Sequence, residues 1–193
     1  MESVRRQLVV MCGTTGSGKS TAAILLSSHL RCPVLTADET RRALAGSAIN
    51  WRKNHSKAMT RKTYKLLMMS VETAFLHCNN CLIMDGTFLR RWQRRAARIL
   101  ATRWRAELIV VARETSDRRK RGRVTKRRDA FSGPRQFRQR VLQHHKNASE
   151  KVLASEANKL FVVRNNGTRN DLNERILTIA KLLAPREVVL LHE

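Results

Sequence analysis

The sequence predicts an α/β protein with a three-layer α/β/α arrangement, in which helices cover both faces of a mostly parallel sheet. Two observations support this fold class. Short apolar runs of strand length alternate along the chain with segments whose apolar residues recur at helical spacing. A glycine-rich stretch also follows the first apolar run directly and leads into a helical segment. With 193 residues and no linker-like stretch, we expect one domain over 1–193.

The first half of the chain alternates strands and helices. We predict strands at 7–12 and 33–37, and helices at 19–30, 38–46 and 57–76, with a polar loop over 47–56. Gly46 is expected to end the second helix, and Asp38 or Thr36 to lie near its N-cap.

The second half continues the alternation. We predict strands at 81–85, 107–112 and 159–165, and helices at 90–104, 134–153 and 169–184. The arginine-rich stretch that begins at residue 113 is expected to form a lid over about 113–135. The tail over 185–193 fits either a sixth strand or an irregular end.

The stretch "GTTGSGKST" at 13–21 has the spacing of a phosphate-binding loop, or P-loop. Glycines allow positive φ angles and a close backbone approach, so successive N–H groups form an anion nest at the start of a helix. The predicted nucleotide-binding residues are therefore Gly13, Thr14, Thr15, Gly16, Ser17, Gly18, Lys19, Ser20 and Thr21. Lys19 is expected to reach the β- and γ-phosphates of ATP, and Ser20 to bind Mg²⁺. The alternative is a glycine-rich turn without a ligand.

Two aspartates follow predicted strands, where ligands bind in open α/β sheets. Asp85 can orient Mg²⁺ or cap a turn. Asp38 can accept the proton of a substrate hydroxyl or act as a helix N-cap. Arg41 lies three residues after Asp38 on the same helix face, so both can meet one substrate, with Arg42 a less favoured substitute for Arg41.

Positive charge is the exceptional feature of the composition. The chain carries 39 Lys and Arg against 15 Asp and Glu, a formal net charge of +24, which favours a polyanionic partner. Nine of the basic residues lie in 113–129, where a flap that closes over ATP would place a cation on the transferring phosphate. Arg121 is the leading candidate for that cation, followed by Arg119 and Arg118.

The predicted helix at 90–104 combines arginines with tryptophans. We place Arg90, Arg91, Arg94, Arg95 and Arg98 on its polar face, near Trp92 and Trp104. Such a surface suits single-stranded nucleic acid, although aromatic residues at helical spacing are more often core. We interpret His144 and His145 as surface residues.

The remaining composition points to a reduced, cytoplasmic protein. The pair Cys78 and Cys81 forms a single C-x-x-C without a second ligand pair, so we expect neither a zinc nor a redox site there. No apolar stretch is long enough to span a bilayer, and the first strand begins too early to leave a removable leader, so we expect no membrane partner. Oligomeric state is left open.

With these motifs in order, the chain resembles the small P-loop kinases related to polynucleotide kinase, the AAA-type predicted kinases. "TADETRRAL" matches their strand that ends in Asp with Arg three residues later, and "LIMDGTFLRR" matches their Asp-x-Thr stretch. The segment "KRG" at 120–122 is similar to their lid arginine, and Asn166 to the loop near the adenine. The resemblance implies a parallel five-stranded sheet in the nucleoside-kinase-like order.

The resemblance also implies ATP-dependent phosphoryl transfer to a hydroxyl. Asp38 would be the general base, Lys19 and Arg121 would hold the phosphates, and Ser20 and Asp85 would serve Mg²⁺. Arg41 and Thr87 would contact the acceptor.

The net charge favours the 5′-hydroxyl of RNA or DNA as the acceptor. The alternatives are a small-molecule kinase acting on a sugar acid, an antibiotic or a nucleotide sugar, and a nucleotide-dependent RNA-binding ATPase.

Overall fold

Five parallel strands form one sheet in the order β2-β3-β1-β4-β5. They are β1 (Gln7–Cys12), β2 (Val34–Thr36), β3 (Cys81–Asp85), β4 (Glu107–Glu114) and β5 (Lys159–Arg164). The computed structural model describes residues 6–46, 55–77, 79–126, 133–164 and 166–184. The number, direction and order of the strands confirm the predicted sheet.

Seven α-helices are described in these ranges. They are α1 (Lys19–Leu30), α2 (Ala37–Ala45), α3 (Lys57–Leu76), α4 (Arg91–Arg103), α5 (Asp117–Lys126), α6 (Arg135–Ala148) and α7 (Arg169–Leu183), with a 3₁₀ turn at Ala154–Glu156. The predicted bounds of α1, α3 and β3 are correct. Helix α5 was not predicted as a helix, and the predicted loop at 47–56 and tail at 185–193 lie largely or wholly outside the described residues.

The two faces of the sheet have separate apolar cores, which gives the three-layer arrangement. Alternate residues of β1, such as Leu8 and Val10, pack against α3 and α4, whereas Val9 and Met11 pack against α1 and α7. The central strands are apolar at nearly every position because both of their faces are covered, as expected for a parallel sheet.

Three of the helices have a serine or threonine N-cap whose hydroxyl accepts a hydrogen bond from the first turn. Thr36 accepts a hydrogen bond from the Glu39 backbone N–H at 3.0 Å and so caps α2. Ser56 caps α3 and Thr168 caps α7 in the same way. The capping role that the sequence left open for Asp38 is therefore taken by Thr36.

The prediction that Arg94 lies on the polar face of α4 is wrong, because its side chain is fully buried. Its guanidinium forms a two-point ion pair with Glu156, at 2.6 and 3.2 Å, and donates to the carbonyls of Phe88, Leu89 and Lys151. A buried arginine with this many partners holds the segment after β3 against the 3₁₀ turn.

The tryptophans and cysteines have different surroundings. Trp104 packs on Phe75 in the core, whereas Trp92 is 46% exposed. Cys78 lies outside the described residues. The pKa of the Cys81 thiol is raised, mainly because of a hydrogen bond with Cys32. In the described part of the chain, no helix is long and apolar enough to cross a membrane.

Candidate active site

The phosphate loop connects β1 to α1 and depends on glycine at its first position. Gly13 has φ of +141°, and its N–H donates to the Thr87 carbonyl at 2.9 Å. A Cβ atom on Gly13 would lie 2.6 Å from the carbonyl oxygen of Arg113 in β4. Only glycine therefore fits between the two strand ends without displacing backbone.

Lys19 lies at the start of α1 and is buried at the edge of a cavity. Its Nζ donates to the Thr14 carbonyl at 3.0 Å, which curls the loop around the ammonium group. The Thr115 hydroxyl donates to the Ser17 carbonyl at 3.0 Å and ties the loop to the segment after β4. The loop is thus held from both sides, and the ammonium and the helix N-terminus together favour an anion.

The cavity has a volume of about 790 Å³ and lies between the phosphate loop, α2, α3, the segment after β3, α5 and α6. It brings together most of the predicted site residues: Thr15, Gly16, Gly18, Lys19, Ser20, Thr21, Asp38, Arg41, Asp85 and Thr87. Gly13, Thr14 and Ser17 form the back of the loop and do not line it. The sequence motifs therefore converge on one space.

Asp38 and Arg41 face this cavity from α2, as their spacing predicts. The Arg41 Nη1 donates to Asp38 Oδ1 at 2.8 Å. The Arg41 side chain is 11% exposed and the Asp38 side chain 51% exposed. The pairing orients the carboxylate while leaving it open to solvent and to an incoming molecule.

The segment after β3 is held by a tyrosine that the sequence analysis did not single out. The Tyr64 hydroxyl accepts hydrogen bonds from the backbone N–H groups of Thr87 and Phe88, each at 3.1 Å, and lies 3.1 Å from Thr87 Oγ1. Burial raises the pKa of Tyr64, so the hydroxyl keeps its proton. The hydrogen bonds to Tyr64 hold the segment that directly follows Asp85. Asp85 itself is buried at the carboxyl end of β3, beside the end of β1.

Ser20 and Asp85 supply the donor chemistry that Mg²⁺ requires. One hydroxyl and one buried carboxylate line the same cavity. Mg²⁺ prefers hard oxygen ligands and keeps several waters and substrate phosphates, so two protein oxygens suffice. Among the described residues, no group of three or more His, Cys, Asp or Glu converges as a separate metal site.

Helices α5 and α6, here called the lid helices, cover the phosphate loop, and their arginines differ from the prediction. Arg123 donates to the Gly16 carbonyl at 3.2 Å and lines the cavity. Arg121 is exposed and does not line the cavity. The reason is helical phase. Lys120 and Val124 face Gly16, and Arg121 is rotated by about 100° from Lys120. Of these two arginines, Arg123 is therefore the one that contacts the phosphate loop in this structure, and a role for Arg121 at a bound phosphate stays a prediction.

Two other predicted residues, the lid candidate Arg119 and the adenine-loop residue Asn166, form hydrogen bonds within the protein. Arg119 donates to the Gly167 carbonyl at 2.7 Å. Asn166 is exposed, and its Oδ1 accepts a hydrogen bond from the Ser116 N–H at 2.9 Å, outside the cavity. Asn166 thereby joins the loop after β5 to the start of α5.

His145 in α6 is the main site residue that the sequence analysis missed. It was interpreted as a surface residue, but it lines the cavity, and its Nδ1 lies 2.7 Å from the Thr15 hydroxyl. Burial, reinforced by the nearby charge of Lys19, lowers the pKa of His145 to about 3. The i, i+4 spacing of Phe137, Val141 and His145 indicates that they share one face of α6, but this spacing alone does not identify the contact with Thr15.

The charge of the cavity is strongly positive. Among the described residues that line it, two are carboxylates, Asp38 and Asp85, and nine are basic: Lys19, Arg41, Arg42, Lys57, Arg61, Arg90, Arg123, Arg138 and Arg140. Arg138 is committed to the carbonyls of Val124, Thr125 and Gly133. The rest produce a potential that favours polyanionic ligands.

The sheet order, the phosphate loop and the lid helices define a P-loop kinase-like fold. The chain matches the AAA domain family over residues 8–152, about three quarters of its length. It therefore belongs to that family. No curated protein matches the chain in a sequence comparison.

Solved structures share the fold at low sequence identity. A protein from Chloroflexus aurantiacus is 18% identical, with a TM-score of 0.70 over 91% of this chain and 97% of that chain. A sugar kinase from Janibacter sp. HTCC2649 is 21% identical, with a TM-score of 0.68 over 94% and 99%. The APS kinase CysC from Mycobacterium tuberculosis, in complex with AMPPNP and APS, is 18% identical, with a TM-score of 0.67 over 93% and 98%.

Proposed function

We propose that the protein is an ATP-dependent kinase that transfers the γ-phosphate to a hydroxyl. The observation that carries this proposal is that Lys19 of the phosphate loop and the carboxylate of Asp38 line one cavity. A phosphate loop alone indicates a nucleotide. A solvent-accessible carboxylate that faces the same space supplies the base that an alcohol acceptor needs.

In the proposed reaction the acceptor oxygen attacks the γ-phosphorus and the bond to the β-phosphate oxygen breaks, releasing ADP. Asp38 accepts the hydroxyl proton, and Arg41 holds Asp38 in place. Lys19 and Arg123 would contact the phosphates and offset the negative charge of the transferring group. Ser20 and Asp85 would hold Mg²⁺, which would supply positive charge that neutralises the phosphates.

The remaining predicted residues have supporting roles in this proposal. The backbone of the phosphate loop from Gly13 to Thr21 would cradle the triphosphate, and Thr87 would contact the acceptor beside Asp85. A contact between Asn166 and the adenine stays a prediction. We also infer that 1–193 forms one kinase domain, with α6 extending the lid beyond the predicted boundary at 135.

A small anionic alcohol is the acceptor class that we favour. Beyond the phosphate loop, the cavity presents Arg41, Lys57, Arg61 and Arg90 among its basic residues, against the two carboxylates of Asp38 and Asp85. A carboxylate or phosphate on the acceptor would balance this charge. The fold shared with a sugar kinase, and with an APS kinase solved with AMPPNP and APS, also supports a small acceptor.

A polynucleotide 5′-hydroxyl is the second candidate. The net charge of +24 exceeds what one small substrate requires. Trp92 lines the cavity, is 46% exposed as a residue and contacts Tyr64 edge-on, so part of its surface is available for stacking with a base. A nucleotide-dependent RNA-binding ATPase would share these features without using Asp38.

An acceptor screen with γ-labelled ATP and Mg²⁺ tests the proposal. Sugar acids, phosphorylated sugars, matched neutral sugars and 5′-hydroxyl oligonucleotides would be offered separately, with Lys19→Met as the control for transfer that depends on this site. We expect label on the anionic small alcohols and much less on their neutral counterparts. Label on the oligonucleotides alone would favour the second candidate, and label only in free phosphate would contradict the kinase proposal.

Salt dependence separates the two acceptor classes further. Oligonucleotide binding that neutralises several phosphates weakens steeply as salt rises, whereas a small monoanion responds weakly. KM for each accepted substrate, measured between about 50 and 200 mM salt, shows whether binding has the steep salt dependence of an oligonucleotide or the weak dependence of a small anion.

A further inference from the structure

We propose that His145 is a nucleotide-binding residue of the lid that takes up a proton when a triphosphate enters, exchanging its contact with Thr15 for a charged hydrogen bond to the phosphates. The inference rests on the proposed nucleotide site but not on the identity of the acceptor. It adds a proton to the binding reaction and forms no covalent bond, so the proton comes from solvent.

The geometry places His145 where the second lid helix meets the phosphate loop. Its Nδ1 lies 2.7 Å from the Thr15 hydroxyl, and Thr15 lines the cavity between the first and second glycines of the loop. Helix α5 touches the neighbouring residue, since Arg123 donates to the Gly16 carbonyl at 3.2 Å. Lys146 pairs with Asp117 and joins the two helices. Both lid helices thus bind adjacent residues of the loop that would hold the phosphates.

The surroundings of His145 favour the neutral form of its ring. Lys19 approaches from α1, Arg41 from α2, and His55 and His144 complete a set of basic neighbours that disfavour a further positive charge. Asp38, Asp85 and Arg123 face the same cavity. Burial and these charges lower the pKa of His145 to about 3, so at neutral pH the ring carries one N–H and one lone pair.

A bound triphosphate reverses the sign of this environment. Its negative charges favour the protonated imidazole, which then has two N–H donors instead of one. The pKa of His145 therefore rises on binding. By linkage, the complex holds more protons than the separated partners, and the affinity for triphosphate increases as pH falls through the raised pKa.

Calorimetry with AMPPNP and Mg²⁺ measures this proton directly. Titrations at pH 6.5 in buffers of different ionisation enthalpy give the number of protons taken up per analogue bound. The analogue's own phosphates titrate near this pH, so the informative quantity is the difference between wild type and variants. We expect the wild type to take up more protons than His145→Asn, by up to one.

His145→Asn is the matched variant because an amide can replace the hydrogen bond to Thr15 but cannot gain a proton. We expect its AMPPNP affinity to approach the wild-type value at pH 8. It should fall behind as pH decreases, by up to about tenfold for each pH unit. His29→Asn, in the exposed last turn of α1 and outside the cavity, should leave the proton count unchanged.

The outcomes separate the two proposals. Equal proton uptake by wild type and His145→Asn, with tight AMPPNP binding by both, overturns the role of His145 and leaves the kinase proposal intact. Loss of the extra proton in His144→Asn instead would assign it to the other histidine. Absence of AMPPNP binding to the wild type would overturn the nucleotide site itself.

A measurement on the unmodified protein covers the case in which the Asn variant does not fold. The imidazole ring signals of His145, assigned through sequential connectivities from its own backbone amide, report its protonation by NMR at pH 6.5. We expect a neutral ring without AMPPNP and a charged ring with it. A ring that stays neutral in the saturated complex overturns the proposal.

Discussion

Replacing Arg94 with methionine should remove the main anchor beneath the candidate site. The guanidinium is fully buried and makes five hydrogen bonds, two to Glu156 and three to the carbonyls of Phe88, Leu89 and Lys151. Methionine fills much of the aliphatic volume but donates no hydrogen bond. Three carbonyls and the Glu156 carboxylate, whose side chain is only 12% exposed, then lose this donor. Glu156 keeps the longer ion pair with Arg91, at 3.4 Å, and the Leu153 N–H.

The expected cost follows from these partners. Removing one member of a buried ion pair typically destabilises a protein by about 3–5 kcal/mol when the other charge is left uncompensated. Because Arg91 still pairs with Glu156 at 3.4 Å, we expect the lower end of this range. That is a large part of the roughly 5–15 kcal/mol that holds a domain folded. Arg95→Met at the exposed neighbouring position should change stability by less than about 0.5 kcal/mol.

Urea denaturation followed by circular dichroism measures both variants. Adding Glu156→Gln to Arg94→Met should recover part of the loss, since the unpaired charge is removed, and the double-mutant cycle gives the coupling between the two residues. A loss below about 1 kcal/mol for Arg94→Met would mean that Arg94 is not the anchor that its contacts indicate.

Three further changes test other parts of the structure. Gly13→Ala should destabilise by about 1–3 kcal/mol because its Cβ would meet the Arg113 carbonyl at 2.6 Å in a left-handed conformation, whereas Gly122→Ala, in open space within α5, should be neutral or stabilising in the same urea assay. Lys19→Met should weaken AMPPNP binding by roughly 10- to 100-fold in calorimetry, the value of a charge-assisted hydrogen bond to phosphate. His145 has a lowered pKa, so between pH 6.5 and 5 the unfolded chain gains a proton that the folded chain does not. The wild type should then lose about 1.6 kcal/mol more than His145→Asn, because the unfolded histidine is already half protonated at pH 6.5. An equal change in the free energy of unfolding of the two proteins over this range would contradict the neutral ring.

The fold could be predicted largely from sequence because each element carries a local signal. The strands of the sheet are short apolar runs, and α1 and α3 show helical periodicity between clear ends, such as Ser56 before α3. Helix α5 lacked such a signal, because its basic residues leave only Val124 buried. Its position depends on contact with Gly16, which is far away in sequence.

The candidate site was predictable where a motif fixes both residue type and position. The phosphate loop, Asp38, Arg41 and Asp85 follow from their place at strand and helix ends. Tertiary contacts decided the rest. Arg94 is buried by a partner 62 residues later in the chain, and His145 contacts a loop 130 residues earlier. The local sequence around either residue does not identify such a distant contact.

The most direct test of the proposed kinase compares Asp38→Asn with wild type in two assays. AMPPNP affinity reports the nucleotide site, and single-turnover transfer of labelled phosphate to the best acceptor reports the chemistry. Glu174→Gln, on α7 and away from the cavity, controls for the loss of a carboxylate. The account predicts AMPPNP affinity within about threefold of wild type and transfer slower by roughly 100-fold or more. Transfer at the wild-type rate by Asp38→Asn would contradict it.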